Sequence, residues 1–146
     1  MNEIKITVAT QDDVTAIANI EKLSFSDPWS ENAVKESLVA GTTFYVASIS
    51  NNIVGYMGIS KIVGEGYVTN IAVLPDYRRN GIGEKILRYA IDNSKNELEF
   101  ISLEVRVSNS SAISLYEKLD FKQVGLRKRF YSNPTEDAII MTKYFS

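Results

Sequence analysis

The 146-residue sequence contains no cysteine and no histidine. Without cysteine there are no disulfides, no thiolate nucleophile and no cysteine metal site. Without histidine the chain lacks the commonest general base and the commonest transition-metal ligand. Any acid–base chemistry must therefore use Asp, Glu, Tyr, Lys or a bound water. We accordingly expect no metal centre, and any group transfer should proceed directly rather than through a modified cysteine.

Long apolar runs and a strong net charge are also lacking. No apolar stretch approaches the ~20 residues of a membrane span, and the N-terminus MNEIKITVAT has no basic segment followed by an apolar one. The formal net charge of −2 provides no basic field for nucleic acid, and Arg127-Lys128-Arg129 is interpreted as a solvated face. We expect a cytoplasmic protein that binds neither membranes nor nucleic acid; the sequence predicts no oligomeric state.

The hydrophobic patterns predict a single α/β domain over residues 1–146, with a mixed central sheet of about six to seven strands flanked by about four helices. The predicted elements are strand 4–9, helix 11–24, a short helix from Ser30 to Leu38, strands 42–50, 53–63 and 67–74, helix 81–95, strand 101–107, a helix that includes residues 113–119, and strands 121–131 and 137–145. Asn51-Asn52 is a hairpin signature, because asparagine tolerates a positive φ. Strands 67–74 and 101–107 should be parallel neighbours, since helix 81–95 connects them.

The junction NIAVLPDYRRNGIGEKIL places glycines in the first turn of a helix, where glycine is a poor helix former. A helix N-terminus exposes unpaired N–H groups, and glycine lets the oxygens of a ligand approach them, which together suit a phosphate. The Walker loop is absent, and the dinucleotide fingerprint fails because Ile86 occupies its third glycine position. From spacing alone, Gly81 and Gly83 fit either an anion site or an incidental turn beside a solvated arginine pair.

The pattern Arg78-x-x-Gly81-x-Gly83, opening a helix after a strand that reads N-I-A-V, resembles the acyl-CoA loop of the GNAT N-acetyltransferase superfamily. The resemblance covers nearly the whole chain and implies acetyl-CoA as co-substrate, with its pyrophosphate held by backbone N–H groups of about residues 79–84. It implies that strand 71–73 pairs with the pantetheine arm and that the Val73 amide polarises the thioester carbonyl. The cofactor-binding residues that it implies are Ile71, Ala72, Val73, Arg78, Arg79, Asn80, Gly81, Ile82, Gly83, Glu84 and Asn109.

Three further stretches resemble one branch, the ribosomal-protein-alanine N-acetyltransferases of the RimI family: SFSDPWS, LEVRVSNSSAISLYEKLDF and RFYSNPTEDAIIM. That branch acetylates the N-terminal amine of a small-subunit ribosomal protein that begins with alanine. The resemblance implies that Glu104 is the general base and Tyr116 the general acid. Three alternatives stay open: another protein N-terminus as acceptor, a small-molecule amine such as a polyamine, or a non-catalytic module that binds acyl-CoA.

Several of the candidate residues also have a purely structural interpretation. Glu104 shares a polar strand face with Ser102 and Arg106, and Tyr116 fits a core position. The remaining candidates are Trp29 and Tyr131, which either line a peptide groove or pack, and Glu136 and Asp137, which either meet an acceptor ammonium or form a surface pair.

The chain departs from the family pattern at one helix end. The family commonly has glycine where this chain has Asp120. We expect a left-handed cap there, at a cost of order 1 kcal/mol to local stability.

Overall fold

Seven β-strands and four α-helices make up the chain in the computed structural model, which describes residues 3–145. The elements are β1 Ile4–Val8, α1 Val14–Ser24, α2 Glu31–Val39, β2 Thr43–Ile49, β3 Asn52–Ile62, β4 Glu65–Val73, α3 Ile82–Ser94, β5 Phe100–Arg106, α4 Ser110–Lys118, β6 Lys122–Tyr131 and β7 Glu136–Tyr144. Short 3₁₀ turns lie at Gln11–Asp13 and Pro75–Tyr77. The predicted element order is confirmed.

The strands form a seven-stranded mixed sheet in the order β1-β2-β3-β4-β5-β7-β6. β4 and β5 run parallel, with Glu65 opposite Phe100 and Tyr67 opposite Ser102. The β1–β2, β2–β3, β5–β7 and β6–β7 pairs are antiparallel. The predicted α/β class, the mixed sheet and the parallel pair joined by a crossover helix are therefore confirmed.

The chain divides into two compact units, one of Met1–Ser60 with Thr69–Asn93 and one of Lys61–Val68 with Ser94–Ser146. The expectation of a single domain over residues 1–146 stays a prediction. In the first unit, α1 turns an apolar stripe inward, and the core comprises Ala9, Val14, Ile17, Ile20, Val34, Phe44, Val46, Tyr56 and Ala72. Helical spacing places these apolar positions on one face, and their burial is the main favourable contribution to folding.

Local signals in the sequence account for several boundaries of the first unit. Thr10 and Asp13 form a capping box at the start of the 3₁₀ turn, and the Ser30 hydroxyl caps α2 by accepting a hydrogen bond from the Ala33 N–H at 3.0 Å. The hairpin prediction needs a correction of one residue. The positive φ values are at Ser50 (51°) and Asn51 (67°), whereas Asn52 is the first residue of β3 and pairs with Ile49.

In the second unit, strict alternation along β5 buries Ile101, Leu103 and Val105 and turns Glu104 and Arg106 to the opposite face. The Asn109 side chain caps α4 through a 3.2 Å hydrogen bond from the Ala112 N–H. The helix ends at Asp120, which has a φ of 71° and is left-handed as predicted.

Replacing Asp120 by glycine should raise the free energy of unfolding by about 0.5–1 kcal/mol, because glycine adopts this left-handed backbone without a Cβ clash. The Asp120→Asn variant is the matched control: it removes the charge that lies 3.9 Å from the Lys143 Nζ but keeps a side chain at the same φ. Urea denaturation of the three proteins measures the difference. A glycine variant no more stable than the asparagine variant would contradict the strain that we assign to this position.

Candidate active site

The turn before α3 presents an open helix N-terminus. Gly81 requires glycine for its backbone, because its φ is 76°. Gly83 has an ordinary φ, and a Cβ added to it would meet only the Val73 Cγ2 atom, at 4.0 Å. The first helical hydrogen bond runs from the Lys85 N–H to the Gly81 carbonyl at 3.0 Å, so the N–H groups of residues 82–84 come before the helical ladder. Among residues 3–145 nothing else comes close enough to require glycine at position 83, so an anion such as phosphate would have room to approach the backbone there.

The side chains of the same turn hold the protein backbone. The Arg78 Nε atom donates to the Val73 carbonyl at 2.9 Å, and its Nη2 atom donates to the Ser24 hydroxyl at 3.3 Å. The Asn80 amide donates to the Tyr77 and Arg78 carbonyls at 3.0 and 3.2 Å. Arg78 thus fixes the end of β4, where the resemblance places the Val73 amide against the thioester, and Asn80 shapes the turn.

Residues Arg79 and Glu84 complete the predicted cofactor loop. Arg79 has a positive φ of 66°, so its backbone contributes to the sharp turn before the helix. The Glu84 carboxylate pairs with the Arg88 Nε atom at 2.9 Å, one helical turn along α3. Its side chain is therefore directed along the helix and away from the turn.

A buried carboxylate joins the elements of the first unit. Glu21 is 0% exposed. It accepts hydrogen bonds from the Trp29 N–H at 2.9 Å, from the Asn70 amide at 2.8 Å and from the Tyr56 hydroxyl. Burial, followed by the Glu21 charge, raises the pKa of Tyr56, which therefore stays protonated and can donate. Trp29 packs against the core, and Asn70 immediately precedes Ile71 to Val73, so both predicted ligand-binding segments are anchored to the same carboxylate.

The second unit brings together the predicted base and two tyrosines. The Glu104 carboxylate forms an ion pair with the Arg127 Nε atom at 3.1 Å. Burial, and then the charge of Glu104, raises the pKa of Tyr131 to about 12, an effect that Arg106 partly offsets. Tyr116 is buried against Phe121, and burial followed by Tyr131 raises its pKa. Both tyrosines thus keep their protons at neutral pH, and the charge of the Glu104 carboxylate acts on Tyr131.

Two carboxylates proposed from the sequence to meet an acceptor ammonium are instead bound to the chain. Glu136 pairs with the Arg106 Nη1 atom at 3.1 Å and accepts from the Ser108 N–H at 2.7 Å, and the Ser108 hydrogen bond lowers its pKa, with a further contribution from Arg106. Asp137 accepts from the Arg129 N–H at 2.8 Å. These contacts make both residues supports of the β6–β7 connection.

Sequence reasoning missed three residues in these clusters. Arg127 is exposed, as interpreted, but its ion pair with Glu104 was not foreseen. Arg106 was interpreted as part of a polar strand face, but it contacts residues 25 or more positions later in the chain. Glu21 carried a usable signal, because it follows Ile17 by four residues and so falls on the apolar stripe of α1.

Two classes of site have no candidate among residues 3–145. In that range no group of three or more metal-ligating Asp or Glu side chains is close enough to hold a metal ion. Nor is any helix there long and apolar enough to cross a membrane.

Comparison with known proteins gives consistent matches. Residues 14–121 match the acetyltransferase (GNAT) family. The chain is 39% identical to an N-alpha-acetyltransferase of Saccharolobus solfataricus, over 92% of this chain and 89% of that protein. It is 33% identical to the ribosomal protein bS18-alanine N-acetyltransferase of Escherichia coli K12, over 97% and 96%. The crystal structure of the ribosomal-protein-S18-alanine N-acetyltransferase from Escherichia coli is similar, with a TM-score of 0.92 at 31% identity and coverages of 99% and 95%.

Proposed function

The chain belongs to the acetyltransferase (GNAT) family, and from this premise we propose that it transfers the acetyl group of acetyl-CoA directly to the N-terminal α-amine of a protein. The acceptor that we propose is the N-terminal alanine of a small-subunit ribosomal protein, as the names of several relatives suggest, and such an acceptor makes the enzyme cytoplasmic. The observation that carries the cofactor assignment is the first turn of α3, where Gly83 leaves space beside N–H groups that precede the helical hydrogen-bond ladder.

The cofactor is held mainly by backbone in this proposal. The N–H groups of about residues 79–84 bind the pyrophosphate, with the helix dipole adding to the attraction. Residues Ile71, Ala72 and Val73 pair with the pantetheine arm, and the Val73 N–H donates to the thioester oxygen as negative charge develops there. Asn109 contributes a further contact from the start of α4. Acetyl-CoA supplies the activated acetyl group; the protein orients it.

The chemistry then needs protons to leave the acceptor nitrogen and one to reach the departing sulfur. The acceptor is an α-ammonium with a pKa of about 8, and it must lose a proton before its nitrogen can attack the acetyl carbon. Glu104 accepts that proton, directly or through a water. As the carbon–sulfur bond breaks, Tyr116 donates its hydroxyl proton to the leaving thiolate, whose thiol has an ordinary pKa of roughly 8.5. The acylated nitrogen loses its remaining extra proton, which returns to the Tyr116 oxygen, so that a neutral amide, a thiol and a phenol remain. Burial raises the pKa of Tyr116, so the residue carries its proton at neutral pH.

Two aromatic residues are the proposed contacts of the acceptor peptide. Trp29 is half-buried, and its backbone N–H donates a hydrogen bond to Glu21. Tyr131 stacks on Arg106, and its pKa is raised by burial and then by the charge of Glu104. Rigid aromatic side chains with a polar group give contact area at low entropic cost, which suits an extended peptide end. We propose that Trp29 and Tyr131 contact the first residues of the acceptor.

A Gly83→Val substitution should raise the acetyl-CoA dissociation constant at least about tenfold, because a branched side chain would occupy the space that the phosphates need. Asp92→Val is the matched control, since it adds the same branched residue to an exposed position near the other end of α3. Isothermal titration calorimetry measures both. Wild-type affinity in a folded Gly83→Val protein would show that the pyrophosphate does not bind at this turn.

The acceptor class is tested by initial rates with acetyl-CoA and three amines. These are a peptide beginning with alanine, the same peptide blocked at its N-terminus but carrying a lysine, and a polyamine. We expect the free N-terminus to give a kcat/KM at least about tenfold above the others. Preference for the polyamine would make the chain a small-amine acetyltransferase, and acetyl-CoA binding without turnover on any amine would make it a binding module.

The two proposed proton carriers should differ in their pH behaviour. Tyr116→Phe should lower kcat by roughly 10²–10⁴-fold at every pH with little change in acetyl-CoA affinity, because no added base replaces the missing acid. Glu104→Gln should recover partly at alkaline pH, where the acceptor amine is already neutral. Rates between neutral and alkaline pH measure this, with thermal melts to confirm folding.

Arg127→Met serves as the control for Glu104→Gln, because it breaks the same ion pair while leaving the carboxylate. It should not reproduce the alkaline recovery. Near-wild-type turnover by Tyr116→Phe would remove that residue from the mechanism. A Glu104→Gln defect that stays constant across pH would leave Glu104 without a role as base.

A further inference from the structure

Arg106 is bound on every side of its guanidinium at the end of β5. Its Nη1 atom donates to the Pro134 carbonyl at 3.0 Å and to the Glu136 carboxylate at 3.1 Å, and its Nη2 atom donates to the Ser132 carbonyl at 3.0 Å. Its Cζ atom lies 4.5 Å from the centroid of the Tyr131 ring. One side chain thus captures two carbonyls of the β6–β7 connection and stacks on the residue that precedes that connection.

The position of Arg106 along β5 gives these contacts a functional setting. Arg106 follows Glu104 by two residues on the same strand face, about 7 Å along the strand. Tyr131 stacks on Arg106, and its pKa is raised by burial and then by the charge of Glu104. The contact with the Arg106 guanidinium therefore constrains the position of a tyrosine ring that the charge of the proposed base also affects.

We propose that Arg106 is a positioning residue for the acceptor: it holds Tyr131 and residues 132–135 in the arrangement that receives the peptide N-terminus beside Glu104. The inference rests on the proposed function, because it takes Tyr131 as an acceptor contact. Arg106 itself touches neither substrate in this account. It acts on the acceptor through the Tyr131 hydroxyl, whose position depends on the contact with the Tyr131 ring and on the captured Ser132 and Pro134 carbonyls.

The geometry calls for arginine rather than for a positive charge alone. A planar guanidinium offers donors in a fixed fork at its edge while its face remains free to stack on an aromatic ring. Lysine carries the same charge, but its ammonium has neither the face nor the fork. The Glu136 carboxylate neutralises the charge of Arg106 and is itself held by a hydrogen bond from the Ser108 N–H.

The test is a mutant cycle between Arg106 and the Tyr131 hydroxyl. The variants are Arg106→Lys, Arg106→Met, Tyr131→Phe and the Arg106→Met/Tyr131→Phe double variant, with kcat, the acceptor KM and the acetyl-CoA dissociation constant measured for each. Lys61→Met is the matched control, because it breaks the Lys61–Glu97 ion pair, which shares no residue with the Arg106 cluster. Wild-type acetylation of an alanine peptide is measured first, so that failure of the proposed function is recognised separately.

In the wild-type background, both Arg106 variants should raise the acceptor KM roughly tenfold, with kcat and acetyl-CoA affinity nearly unchanged. In the Tyr131→Phe background, Arg106→Met should add less than about twofold, because the hydroxyl that it positions is already gone. An equal effect in both backgrounds, a wild-type KM in Arg106→Lys, or a defect confined to kcat would overturn the proposal.

Limited proteolysis, which does not depend on enzyme activity, tests whether Arg106 holds the β6–β7 connection. Trypsin can cut after Arg127, Lys128 and Arg129, just before the connection that Arg106 holds. Arg106→Met should be cleaved there faster than Lys61→Met under native conditions, because the two captured carbonyls are released. Equal cleavage rates would show that Arg106 does not hold this connection, whatever the acceptor is.

Discussion

The buried carboxylate of Glu21 is the constraint on which the arrangement of the first unit depends. A charge removed from water is costly unless it is hydrogen-bonded, and here three neutral donors from separate segments satisfy it. The carboxylate therefore keeps its partners only while α1, Trp29, β3 and β4 hold their positions together. Because Asn70 is one of the donors, the constraint also fixes the strand that continues into Ile71 to Val73, where we propose that acetyl-CoA is held.

In the second unit, arginine side chains or backbone N–H groups hold the carboxylates. Glu104 is paired with Arg127, Glu136 with Arg106, and Asp137 with the Arg129 N–H. Burial keeps Tyr116 and Tyr131 protonated at neutral pH, and the charge of Glu104 acts on Tyr131, so this unit holds both the proton donor and the carboxylate that the proposed amine acylation needs. The two units thus differ in how they would recognise ligands: backbone N–H groups for the cofactor, and side chains supported by long-range contacts for the acceptor.

That difference explains which features of the structure could be predicted from the sequence alone. The element order, the parallel β4–β5 pair and the left-handed Asp120 were predictable because local patterns determine them. The Arg78-x-x-Gly81-x-Gly83 turn could also be recognised in the sequence, because binding by backbone N–H groups uses residues that are contiguous along the chain. The Arg106 and Arg127 contacts were not, since strand pairing brings together residues that lie more than twenty positions apart. The hairpin turn was misplaced by one residue, because serine at position 50 also adopts a positive φ.

The central claim is that the acetyl group goes to an N-terminal α-amine. The most direct measurement uses one peptide that begins with alanine and contains a single lysine, incubated with the wild-type protein and acetyl-CoA. Fragmentation of the product in a mass spectrometer locates the acetyl group. The account predicts acetylation of the alanine nitrogen before any lysine is modified, whereas acetyl found mainly on the lysine would contradict it.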